Sequence, residues 1–225
     1  MTRNIVLHHK TFGKLSQNEN ITENGIYVYL CLKPFAVSSN WTYLPINIVK
    51  LNSILSDVDI LNRKKQQDCI KTGLKELEQA NLIKIISNKK NDYELDLEGM
   101  IEEYSKDSPY TVFPVDVFRQ ILKDCGNRKT IFKYLSGFFY IYTHNEASMD
   151  DSEPLCFIAT KEELAKNCRI DVRSVDKYND ILTKNKIIYA RKFHYSKQLP
   201  SVYVCGLYED KDTIDSYCND YLNEY

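Results

Sequence analysis

Set against itself at an offset of 105 residues, the chain matches in two blocks, and this match restricts the fold more than any other feature. Gly25-Ile26-Tyr27-Val28-Tyr29-Leu30 falls opposite Thr130-Ile131-Phe132-Lys133-Tyr134-Leu135. At the same offset Leu77-Glu78-Gln79-Ala80-Asn81-Leu82-Ile83 falls opposite Leu182-Thr183-Lys184-Asn185-Lys186-Ile187-Ile188. The agreement is partial: Leu74 meets Asn179 and Glu76 meets Ile181. Register is lost between the blocks, so insertions and deletions nearly cancel. Two diverged copies of one module follow, and 225 residues with 43% hydrophobic side chains can supply a core for each.

In the first copy Thr22 is placed to cap a helix running through about Leu32 and closed by Pro34. Ile26-Tyr27-Val28-Tyr29-Leu30 also has strand composition, and only the repeat favours helix. Trp41-Thr42-Tyr43 reads as a short strand, and Pro45 suits the first position of a helix carrying Ile48, Leu51 and Leu55. A stronger helix after Asn62 turns Ile70, Leu74 and Leu77 to one side. Leu82 to Ile86, a polar turn over residues 87–91, and Tyr93-Glu94-Leu95 then read as a hairpin.

The second copy repeats that order. Asn127 to about Tyr142 is an aromatic-rich helix, followed by an acidic loop through Glu153. Cys156-Phe157-Ile158-Ala159 is the short strand, and Thr160-Lys161-Glu162-Glu163 is a capping box. Leu164, Ala165 and Cys168 give the next helix its buried face, and Asp171 caps another with Val175, Tyr178 and Leu182 inward. Ile187–Phe193 and Ser201–Cys205 form the hairpin.

These segments resemble winged-helix domains, in which a helix-turn-helix carries a β-hairpin wing. The resemblance rests on Phe157 to Ala165, Arg173-Ser174-Val175 and Leu182 to Ile188, and in the first copy on Leu74 to Ile83. It covers roughly residues 22–97 and 127–205. It implies an α+β, mostly helical protein of two winged-helix domains in tandem: residues 1–104 with an N-terminal extension, residues 105–206, and an acidic tail at 207–225. Tandem winged helices in a chain whose 23 lysines against 7 arginines imply AT-rich coding also resemble plasmid or phage replication initiators of bacteria. Transcriptional regulation is the alternative role. Tandem winged helices can also serve as protein-interaction adaptors without DNA.

In a winged helix the second helix of the turn motif enters the major groove of double-stranded DNA. The inward apolar face of residues 63–80 leaves Lys64, Lys65, Gln67, Lys71 and Lys75 outward, with lysines for phosphates and Gln67 for an adenine edge. On the second helix Arg173, Ser174 and Lys177 take that part, and Arg173 alone there can grip guanine bidentately. The wings add Lys89 and Lys90 in one copy and Arg191, Lys192 and Lys197 in the other. The net charge of −1 conceals this pattern: residues 1–91 carry 13 basic against 7 acidic side chains, and residues 161–200 carry ten against five. Residues 92–107 carry one against seven, and the tail one against six.

Other chemistry finds little support. None of the seven glycines sits in a phosphate-cradling motif, so no nucleotide cofactor is expected. The seven cysteines form no CxxC pair and read as reduced core thiols, His8-His9 lacks further ligands, and Asp150, Asp151 and Glu153 lack a cation-loop spacing. No enzyme, cofactor or metal site is expected. No apolar run approaches a membrane span and the first residues lack a signal-peptide core, which predicts a cytoplasmic protein. Residues 108–124, with a helix bearing Val117, Ile121 and Leu122, could pack between the modules or build a homodimer. The tail reads as a docked helix or a segment that binds a protein partner.

Overall fold

The computed structural model describes residues 4–8, 15, 17–36, 42–55, 63–101, 110–125, 130–149, 156–194 and 201–223. The protein is α+β and mostly helical, with three small antiparallel sheets among the described residues. It divides into two compact units, Met1–Tyr134 and Leu135–Tyr225.

Strand β1, Asn4–His8, opens the first unit and is followed by helix α1, Glu23–Leu32. The Thr22 hydroxyl caps α1 by accepting from the Asn24 N–H, and a short helical turn containing Pro34 ends it. Buried Lys33 donates from Nζ to the Met100 carbonyl at 2.8 Å. Strand β2 spans Tyr43–Asn47, helix α2 Ile48–Leu55 and helix α3 Arg63–Gln79. Pro45 therefore lies inside a strand rather than opening a helix. Its missing donor is tolerated because β2 is an edge strand, with β4 on one side only. Trp41 lies outside the described residues. Ile48, Leu51, Ile70, Leu74 and Leu77 are all buried, as the helical spacing predicts.

Strands β3, Lys84–Lys89, and β4, Asp92–Asp96, form a hairpin with Lys90-Asn91 at its tip. A bulge between Ile85 and Ser87 leaves Ile86 half exposed. The first sheet runs β2-β4-β3.

Strand β5, Tyr110–Pro114, pairs antiparallel with β1, and helix α4, Val115–Asp124, follows it. This pairing assigns residues 110–124 to the first unit, although the repeat starts the second module at 105. Thr111, Phe113, Phe118, Ile121 and Leu122 are buried on β5 and α4.

Helix α5, Thr130–Met149, leads into the second unit. It runs seven residues beyond the predicted end at Tyr142, because Ala147 is buried and no glycine or proline interrupts residues 138–149. Much of the predicted acidic loop is therefore helix, and residues 150–155 lie outside the described set. Strand β6, Cys156–Thr160, passes directly into helix α6, Lys161–Cys168, through a complete capping box between Thr160 and Glu163. Asp171 caps a short helical turn, Val172–Ser174, that continues as helix α7, Val175–Lys184. The Tyr178 ring of α7 stacks on Phe139 of α5 at 5.8 Å. Strands β7, Ile188–Phe193, and β8, Val202–Leu207, complete a sheet ordered β6-β8-β7. Both units thus run helix, strand, helix, helix, strand, strand, and both sheets put the last strand in the middle.

One addition distinguishes the second unit. Helix α8, Lys211–Asn223, lies on β7 and β8 and buries Ile214 and Cys218 against Cys156, Phe193, Val202 and Val204. Residues 211–223 of the acidic tail are thus a docked helix. It explains why residues 202–206 are buried without alternation: the sheet is covered on both faces.

Candidate nucleic-acid interface

Helix α3 owes its outward charge to the side chains it turns inward. Ile70, Leu74 and Leu77 occupy the core, and Gly73 lets α1 approach so closely that a Cβ would lie 2.5 Å from the Asn24 carbonyl oxygen. The two acids of its last turns are drawn into the fold. Glu76, buried, accepts from the Thr22 N–H at 3.0 Å, the Gly25 N–H at 2.9 Å and the Thr22 hydroxyl at 2.8 Å. A carboxylate thereby answers unpaired donors at the start of α1. Glu78 accepts the Ile85 N–H at 2.9 Å. Lys64, Lys65 and Lys75 are exposed, and Lys71 and Gln67 are half-buried. The visible surface of α3 is therefore more basic than its sequence count.

Lys89 and Lys90 are exposed at the hairpin tip, Lys90 with a left-handed φ of 59°. Behind the tip the sheet surface is mixed in charge. Asn47 donates to Asp92 at 2.7 Å, and Ser87 donates to Glu94 at 2.7 Å. Hydrogen bonds from Ser87 and then Tyr43 hold the Glu94 carboxyl below its ordinary range. A cleft of about 380 Å³ there is lined by Pro45, Asn47, Lys50, Lys89, Asp92 and Glu94. Its carboxylates oppose an anionic ligand.

The equivalent surface of the second unit is organised differently. Arg173 is exposed in the turn before α7, its N–H held by Asp171 Oδ1 at 2.8 Å. Ser174 is half-buried and Lys177 exposed. Asp176 takes Lys161 Nζ at 2.6 Å and also accepts the Tyr203 hydroxyl. Arg191 does not reach outward as a wing contact. Its Nη1 donates to Asp215 Oδ1 at 2.9 Å and its Nη2 to Asn219 Oδ1 at 2.9 Å, both on α8. Burial pushes the Asp215 carboxyl up, but hydrogen bonds from Tyr189, Lys211 and Arg191 outweigh it and hold the group low. Lys192 remains exposed, and Lys197 lies outside the described residues.

Sequence reasoning did not find the inward use of Glu76 and Glu78 or the capture of Arg191 by α8. A signal for the first was present: Glu76 stands where the other copy has the apolar Ile181. The seven cysteines are free, and burial pushes Cys31, Cys168 and Cys205 well up, which suits inert core thiols. Among the described residues no three His, Cys, Asp or Glu side chains converge as metal ligands, and no helix is long and apolar enough to cross a membrane. His9, Asp150, Asp151 and Glu153 lie outside the described residues. No protein-family model matches the chain, and no curated protein matches it.

Proposed function

We propose that this chain is a tandem winged-helix protein that binds double-stranded DNA with sequence specificity. The element order and strand order found in both units support that reading, because each places one helix directly before a hairpin. The observation that carries it is the surface of α3, where Lys64, Lys65 and Lys75 are exposed while Glu76 and Glu78 are turned into the fold. Such a face neutralises phosphates, and the adjoining hairpin brings Lys89 and Lys90 to the flanking backbone. In this role the protein acts in the cytoplasm as a binding protein, not an enzyme. Replication initiation of a plasmid or phage is the biological setting we assign, on the resemblance of the sequence, with transcriptional regulation as the alternative.

The adaptor reading draws on one observation, the acidic α8 lying on the second wing and engaging Arg191. Titrating the chain into duplex DNA from the flanks of its own gene, at several salt concentrations, decides between them. DNA binding requires a steep fall of affinity with salt and a preference over scrambled duplex. An adaptor shows neither.

A further inference from the structure

We infer that the two units are unequal partners of DNA: the grip on phosphates belongs to α3 of the first unit, and α7 of the second supplies none. This rests on the DNA-binding reading above and adds which surface does the work. The helices can be compared position by position because they end alike. Asn81 and Lys186, 105 residues apart, are both left-handed, and each helix closes with matching backbone bonds, Leu82 to Leu77 and Ile187 to Leu182. Ile70 and Leu77 in one, Val175 and Leu182 in the other, are buried at the same distances from those caps.

In that register Lys64 keeps its sign in Arg169, but two other lysine positions invert. Lys71 of the first unit falls where the second has Asp176, and Lys75 falls where it has Asp180. Asp176 and Asp180 are both exposed. Around them Arg173, Lys177 and Lys184 stand against Asp171, Asp176 and Asp180 on the turn and α7, and Asp176 also holds Lys161 of α6. On α3 four lysines, at 64, 65, 71 and 75, stand against exposed Asp68 and half-buried Glu78, while Glu76 is buried. A phosphate that is attracted by Lys71 and Lys75 on α3 would meet at the same two places on α7 the Lys161-paired Asp176 and the exposed Asp180, neither of which attracts it. On the second unit, moreover, α8 takes the Arg191 guanidinium that would extend the surface onto the wing. The first unit therefore anchors the chain on the backbone, and the second is free of that role.

The test uses the full chain and an AT-rich duplex, with affinity followed by anisotropy over a range of potassium chloride. Lys71→Asp with Lys75→Asp copies the second unit's charges onto the first. The log–log salt slope should become shallower by about 1.8, at 0.9 per lost phosphate contact. Lys71→Gln with Lys75→Gln gives the same change with less risk to the helix, and a thermal melt verifies folding of both. Asp180→Lys, on an exposed site of α7, should leave affinity within about twofold and the slope unaltered. A steeper slope for Asp180→Lys, or an unchanged slope for the α3 variants, overturns the division of labour. A wild-type chain that binds no duplex at any salt rejects the DNA-binding reading itself.

Discussion

Asn81 and Lys186 occupy the same place in the two units, each in the left-handed region, with φ of 56° and 54°, two residues beyond the end of a helix. In both, the residue's own N–H bonds back three positions, to Glu78 and Thr183, and the next N–H bonds back five, to Leu77 and Leu182. This is a Schellman closure, and glycine is the residue it favours. Asparagine tolerates the conformation and lysine does so poorly. Lys186→Gly should stabilise the second unit by about 1 kcal/mol, and Asn81→Gly the first by less. Urea midpoints measure both. A loss of stability in Lys186→Gly would mean that the unfolded-state entropy of glycine outweighs the relief.

The features readable from sequence are those written in a few neighbouring residues. Thr160 and Glu163 carry their capping box within one turn, and Ile70, Leu74 and Leu77 declare the buried side of α3 by spacing alone. What escaped depends on distant partners. Nothing around Val6 announces Val112, its register partner in the β1–β5 pair, so residues 110–124 read as the start of the second module. Pro45 has the local signature of a helix start, but pairing with Glu94 on a sheet edge overrides it. At the candidate site the same limit applies: periodicity exposes the lysines of α3, whereas the fate of Glu76, Glu78 and Arg191 is set by α1, β3 and α8. The Val202-Tyr203-Val204-Cys205 run did hold a clue, since a sheet with one wet face would alternate.

Glu76 should be the most sensitive polar residue of the first unit. Glu76→Ala removes the acceptor of the Thr22 and Gly25 N–H groups and opens a void, at a cost of about 3 kcal/mol. Glu76→Gln keeps the shape and one acceptor oxygen and should cost about half as much. Gly73→Ala acts at the same helix crossing by driving a methyl against the Asn24 carbonyl, and should also destabilise by about 2–3 kcal/mol. Chemical denaturation of the three variants ranks them. Near-neutral results for Glu76→Ala would remove the carboxylate from its capping role.

Asp176 gives the second unit a pH signature. Its hydrogen bond from Lys161, then that from Tyr203, hold the carboxyl below its ordinary 3.8. A carboxyl lowered by folding stabilises at pH values above the unfolded pKa, and that contribution disappears as pH falls through the lower folded value. Asp176→Asn should therefore lower the urea midpoint more at about pH 7 than near about pH 2. The charge is partly exposed, so the neutral-pH gap should be small and should shrink with added salt. A gap of equal size at both pH values would assign the loss to packing rather than charge.

Asn179 interrupts an otherwise apolar face of α7. It is 5% exposed, and among the described residues neither its Nδ2 nor its Oδ1 has a hydrogen-bond partner. The corresponding residue of the first unit is Leu74, fully buried on α3. An amide left unmatched in a core costs about 1–3 kcal/mol, because water solvates it in the unfolded chain. Asn179→Leu removes that cost and adds apolar burial, while its extra volume takes back part of the gain through crowding. A net stabilisation of about 1 kcal/mol is expected, read as a higher urea midpoint with an unchanged slope. Asn179→Ala, which removes the amide without enlarging the side chain, separates the two effects: it leaves a void but no unpaired dipole. If both variants are less stable than wild type by 2 kcal/mol or more, the amide is satisfied by a buried water, and the polar residue in this core is an anchor for solvent.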